Sequence, residues 1–104
     1  MGDEDQTERR KAKRVPFIKD ATVEGLGARR ISDLSVGGLY LETPVSVPVG
    51  TDVDIRFKLD DSDSQEVELK ARVIYIHEGV GMGMVFVNLP PEIAEKINKL
   101  VDHS

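Results

Sequence analysis

Two short clusters carry the residue types that could do chemistry in this chain. The first is Arg9-Arg10-Lys11-Ala12-Lys13-Arg14, five cations in six positions. An arginine guanidinium is a planar fork of donors. It can take phosphate oxygens, or the O6/N7 edge of a guanine, in pairs, and its flat face can stack on a base. The second cluster is Asp33-Leu34-Ser35-Val36-Gly37-Gly38. An ionised aspartate only accepts hydrogen bonds, which suits the N1–H and N2–H donors of guanine. Ser35 both donates and accepts, and Gly38 admits a close approach or a positive φ. Taken singly, the first cluster reads as solvated charge in a tail. The second, taken singly, reads as an Asx or Ser turn closing on its own backbone.

The remaining reactive residue types form no comparable constellation. His77 falls in an expected turn beside Glu78, and His103 lies near the C-terminus. Neither has Ser or Asp at a spacing that suggests a triad, and two histidines make no structural zinc site without carboxylates. Catalytic and metal-ligating residues are therefore not expected. Asp60, Asp61 and Asp63 lack the glycine and closing glutamate of a calcium loop and read as a polar hairpin turn. Gly79-x-Gly81-x-Gly83 precedes a strand rather than a helix, so it is no phosphate fingerprint, and Met82 and Met84 read as core.

Composition narrows the class further. The chain has no cysteine, which removes disulfides and thiolate metal sites and agrees with a reducing, cytoplasmic setting. No stretch approaches the ~20 apolar residues of a membrane span. Met1-Gly2-Asp3-Glu4-Asp5 lacks the apolar segment of a secretory signal, and Gln6 stands where a myristoylation pattern wants Ser or Thr. The formal net charge is −5, with Asp3, Glu4, Asp5 and Glu8 just ahead of the basic run. That balance argues against a nucleic-acid polymer as partner. An acidic domain with one compact basic segment suits a small, concentrated anion.

At 104 residues the chain has room for one domain with one core. Residues 1–16 read as a flexible basic arm, charged throughout and ending at Val15-Pro16. From Phe17 onward short strands alternate with turn residues: Phe17–Val23, Ala28–Leu34 and Leu39–Thr43, broken by Gly25, Gly27, Gly37, Pro44 and Pro48. Val53, Ile55, Phe57 and Leu59 then alternate with polar residues, the period of a half-buried strand. Val67, Leu69, Ala71, Val73 and Tyr75 do the same, which assigns Tyr75 to the core before Ile74 and Ile76 break the pattern. Met82, Met84 and Phe86 mark a sixth strand. Ile93, Ile97, Leu100 and Val101 recur at helical spacing behind Pro90-Pro91, predicting a helix over about 90–102. The expected architecture is all-β: a six-stranded antiparallel β-barrel over 17–104 with a flexible N-terminal arm and a C-terminal capping α-helix.

Order and spacing now join the two clusters. Arg10-x-x-x-Arg14 stands upstream of Asp33-x-Ser35-x-x-Gly38, followed by Gly81-Met82-Gly83-Met84-Val85-Phe86 and Pro91-Glu92. This combination resembles the PilZ family over about residues 9–101. The resemblance implies a bacterial, cytoplasmic receptor for the second messenger cyclic di-GMP, not an enzyme, with an arginine arm that folds over the ligand. By position, Arg10 and Arg14 would clamp phosphate and guanine edges. Asp33 and Ser35 would read the guanine from the barrel surface, and Gly38 would leave space. Arg9 is either a stacking or second-ligand residue or a steering charge in solvent, and Lys13 adds charge without a fixed role. Tyr75 lies where the family often has an aromatic, which implies a supporting contact as the alternative to the core position that its strand pattern favours.

The resemblance implies cyclic di-GMP as ligand, no cofactor and no membrane insertion. It also implies relay to an unidentified downstream protein through a change in arm order or association, as a monomer or a ligand-linked dimer. The rival reading is a PilZ-fold protein-interaction module that binds no nucleotide.

Overall fold

The computed structural model describes residues 14–102. Six strands and one helix follow in order: β1 (Val15–Val23), β2 (Gly27–Leu34), β3 (Gly38–Glu42), β4 (Asp52–Phe57), β5 (Val67–His77), β6 (Gly81–Val87) and α1 (Pro91–Asp102). The alternation seen in the sequence becomes the wall of a barrel. In β4, Val53, Ile55 and Phe57 point inward while Asp52 and Arg56 stay exposed. Each strand pairs antiparallel with both neighbours, and the sheet closes in the order β1-β2-β3-β6-β5-β4. Closure removes the free edges that a six-stranded open sheet would expose to aggregation.

The interior is filled by side chains from every strand, among them Val23, Ile31, Leu34, Leu41, Ile55, Val73, Met82 and Met84. Phe17 packs edge-on against Phe57, ring centroids 6.0 Å apart. Helix α1 starts where the proline pair leads the reader to expect it. The Pro90 carbonyl accepts from both Ile93 N (3.0 Å) and Ala94 N (2.9 Å), and the missing N–H of Pro91 falls where no helical partner exists. Glu92 in its first turn and Lys99 in its last oppose the helix dipole. Ile97 and Val101 turn into the core and make the helix a lid, not an appendage. No helix among the described residues is long and apolar enough to cross a membrane.

Because neighbours are antiparallel, the connections alternate between the barrel's two ends. Segments 24–26, 43–51 and 78–80 lie at one end, and 35–37, 58–66 and 88–90 at the other. Two expectations need correction. The barrel begins at Val15, not Phe17, so Val15 and Pro16 leave the expected arm: Val15 is buried opposite Leu34 and Pro16 lies opposite Asp33. The register of β1 shifts between Pro16 and Lys19, which hides this start from a period-two reading. Tyr75 is not core. A second register shift between Val73 and Tyr75 breaks the alternation, and Ile74 and Tyr75 both end outside.

If α1 is a lid, Ile97→Ala should destabilise the domain by about 2–5 kcal/mol in a urea titration, the range for emptying a buried aliphatic site. The exposed neighbour Asn98→Ala should stay within about 0.5 kcal/mol of the parent.

Candidate functional site

One cross-strand row organises the outer surface. The registers place Pro16 opposite Asp33, Asp33 opposite Tyr40, Tyr40 opposite Gly83, and Gly83 opposite Tyr75. Residues directly opposite on one face are the closest neighbours a sheet provides, so this row carries a carboxylate and two phenols side by side. Arg14, immediately before β1, donates from Nη1 to Asp33 Oδ1, joining groups 19 positions apart. The two sequence clusters therefore meet. The pair is partly open to solvent, with side-chain exposures of 41% for Arg14 and 32% for Asp33.

Ser35 lies below the surface, at 1% exposure. Its hydroxyl accepts from Gly37 N (3.1 Å) and Gly38 N (3.2 Å), while its own N–H donates to the Gly38 carbonyl (2.9 Å). The Gly37 carbonyl accepts from Phe86 N at 2.9 Å, so β6 holds the turn from the other side. The hydroxyl expected at the barrel surface is thus spent inside the turn. Gly38 is likewise closed in by protein: a Cβ there would overlap the Met84 carbonyl oxygen on the β6 backbone. Both residues shape the turn that presents Asp33. Arg9 and Arg10 lie outside the described residues.

Tyr40, Tyr75 and His77 form an aromatic cluster that the sequence reading did not find. Tyr75 lies 5.1 Å centroid to centroid from His77 and 6.3 Å from Tyr40, and Tyr40 Oη is 2.9 Å from His77 Nδ1. Removal from water raises the Tyr40 hydroxyl above the ordinary tyrosine value, helped by Tyr75, Glu42 and Asp33 nearby. It therefore remains a neutral hydroxyl at physiological pH. The seat for these rings is Gly81-Met82-Gly83-Met84. The methionines point into the core, and a Cβ at Gly83 would strike the Tyr75 ring, one at Gly81 the Tyr40 ring. The signal was available in that alternation: glycine at two successive outward positions of a strand marks a close approach. A concavity of about 470 Å³ bounded by Leu59, Asp60, Asp63, Lys96, Lys99 and Leu100 lies against α1, and none of the row residues lines it.

A closed antiparallel barrel with an arginine set against an Asp-x-Ser-x-x-Gly turn defines the PilZ class of domain. The chain belongs to the PilZ domain family, whose pattern it matches over residues 8–103. Solved structures agree on the fold. The inhibitor of motility MotI/DgrA of Bacillus subtilis superposes with a TM-score of 0.81 at 15% identity, over 93% of this chain and 51% of that one. The PilZ domain of CeSA from a cellulose-synthesizing bacterium gives 0.63 at 25% identity, over 88% and 97%. YcgR of Escherichia coli in complex with c-di-GMP gives 0.72 at 18% identity, over 91% and 45%. The chain thus spans about half the length of MotI/DgrA and of that YcgR. Comparison with curated proteins finds no match.

The two glycines of the turn should separate cleanly. Gly38→Ala must push β3 off β6 and should cost about 3 kcal/mol or more in chemical denaturation. Gly37→Ala meets only Ser35 Oγ at 3.7 Å, an ordinary contact, and should change stability by no more than about 0.5 kcal/mol.

Proposed function

We propose that this chain is a receptor for cyclic di-GMP, and the observation that carries the reading is the meeting of Arg14 with Asp33. One arginine of the basic cluster already stands at the carboxylate of the strand-turn, with a face beside it that offers Tyr40 and Tyr75. In the complex Arg14 and Arg10 take the phosphates and guanine edges. Asp33 accepts from the guanine N1–H and N2–H, and the Ser35–Gly38 turn holds Asp33 in place. Arg9 stacks on a base or supports a second copy of the ligand. YcgR, whose barrel superposes on this one, was solved with c-di-GMP bound.

The ligand must displace the Arg14–Asp33 pair, and magnitudes decide whether it can. An ion pair this open to solvent is worth about 0–1 kcal/mol. A hydrogen bond to a charged group contributes about 1.5–3 kcal/mol, and the ligand offers several to the same two side chains. Exchange therefore favours the ligand. The pair keeps Asp33 oriented until then, at little cost to affinity. The signal passes to a downstream protein through the surface that this exchange rearranges, by ordering of the arginine-bearing arm or by a change in association.

Saturating cyclic di-GMP should raise the melting temperature, since a ligand that binds only the native state stabilises it by roughly 2.7 kcal/mol at a hundredfold excess over Kd. GTP and cyclic GMP should do so far less. A melting curve unmoved by cyclic di-GMP would reassign the chain to the PilZ-fold interaction modules.

Substitution separates binding from folding. Arg14→Ala and Arg10→Ala should remove most of the affinity measured by isothermal titration. Arg14→Ala should also leave stability within about 0.5 kcal/mol, as expected for a solvent-exposed pair. Normal binding by either variant would remove that arginine from the clamp.

A further inference from the structure

We infer that the end of the barrel opposite the Ser35–Gly38 turn docks a segment of another protein that is apolar at its centre and flanked by lysine or arginine. Most of the large apolar side chains left in solvent gather there. Val45 is 53% exposed, Val49 59%, Val80 59% and Ile74 44%. They are neighbours by hydrogen bonding. Thr43 N donates to the Val80 carbonyl at 3.0 Å, and Thr43 Oγ1 both donates to Val45 O (2.6 Å) and accepts from Val45 N (3.1 Å). Gly50 N donates to the carbonyl of Val73, next to Ile74, at 2.8 Å. The register of β4 on β5 ends at Asp52–Arg72, so Ile74–His77 project beyond it towards this end.

The loop is pinned, and the valines are outward for that reason. Val73 N bonds Thr51 O at 3.0 Å and Val47 N reaches Met82 Sδ at 3.5 Å, which seats Val47 against the core and leaves Val45 and Val49 on the other side. Residues 43–51 contain no charge, in a chain that is 32% charged. Contiguous exposed apolar surface without charge is the composition of an interface centre.

The charges at this end select the occupant. The loops at this end carry Glu24 and Glu78. On the strand ends beside them Glu42 lies opposite Arg30, Asp52 is paired with Arg72, and Arg29 is tied to Thr43 Oγ1 at 2.9 Å and Ala28 O at 2.8 Å, so carboxylates are in excess. Two copies meeting end to end would oppose these carboxylates, and an anionic lipid surface or a nucleic acid would be repelled by them. A partner with basic flanks gains from both. The loops of this surface and the Arg14–Asp33 pair lie at opposite ends of the barrel.

The test is amide NMR on the full chain with two synthetic peptide pools. Both pools have randomised Leu, Ile, Val and Phe centres; one has lysine ends and the other glutamate ends. The lysine-ended pool should shift the amides of residues 43–51 and 74–80. The combined Val45→Ser, Val49→Ser and Val80→Ser variant, with its melting temperature unchanged, should bind about tenfold more weakly or worse. Glu24→Lys with Glu78→Lys should turn the preference to the glutamate-ended pool. Any of four results would overturn the inference: no shifts at this end, equal response to both pools, self-association in sedimentation that the valine variant abolishes, or binding to anionic vesicles through these residues.

Discussion

The site depends on one close approach, the start of β3 against the Met84 carbonyl of β6. No side chain fits between them, so residue 38 has none, and the turn before it must deliver the chain to that spot without slack. Ser35 does this by placing a buried hydroxyl under the N–H groups of Gly37 and Gly38, the second of which also reaches the Ser35 carbonyl at 3.3 Å. A buried polar group left without a partner costs about 1–3 kcal/mol, so the Ser35 hydroxyl is held where these two amides meet it. With the turn fixed, the last residues of β2 have no freedom of register. Asp33 must face outward beside Tyr40, and the row that runs on to Tyr75 follows from that pairing.

Charge pairs among the described residues differ in how the sheet holds them, and one of them, Lys19 with Asp61, ties β1 to the 58–66 loop. Asp52 with Arg72 (2.7 Å) and Asp54 with Lys70 (3.2 Å) are cross-strand partners, both held by the ladder that also pairs their backbones. The Arg72 hydrogen bond keeps the Asp52 carboxyl below the usual carboxylate range. These groups form a solvated face of balanced charge, suited to keeping an all-β surface monodisperse. The Arg14–Asp33 pair has the same chemistry but not the same restraint. Arg14 precedes β1 and no cross-strand partner fixes it, so only Asp33 is held by the sheet. That asymmetry suits an exchangeable cation over a fixed carboxylate.

Much of this was legible in the sequence. The alternation of Val53, Ile55 and Phe57, the glycine and proline punctuation and the helical spacing of Ile97 and Val101 are local signals, and the elements they predict are present to within a residue or two. What stayed hidden was set by register, which no single strand encodes. Tyr75 sits at an apparently inward position, and only the shift after Val73 turns it out. Tyr40 and His77 lie 37 positions apart, and their hydrogen bond exists because β3 and β5 both flank β6. For Ser35 and Gly38 the sequence left two readings, a Ser turn closing on its own backbone and a ligand motif, because residue types alone do not name the faces they present; the structure gives the hydroxyl to the turn.

Closure of the barrel constrains how such a domain can carry a signal. Every strand is paired on both sides and the core is continuous from Val15 to Val101. A close-packed interior of this kind resists small continuous deformation, so an event at Asp33 is not transmitted by bending the wall. What can change is the occupancy of the surface. On the receptor reading, the ligand replaces an arginine at Asp33, and the released or recruited groups define a new face beside an unchanged barrel. The energy available is the differential affinity of a partner for the two faces, and none need be spent on the fold. The rigid scaffold gains accuracy from the same property. The registers fix the row from Asp33 to Tyr75 before any ligand arrives, so on the receptor reading discrimination rests on groups already in position.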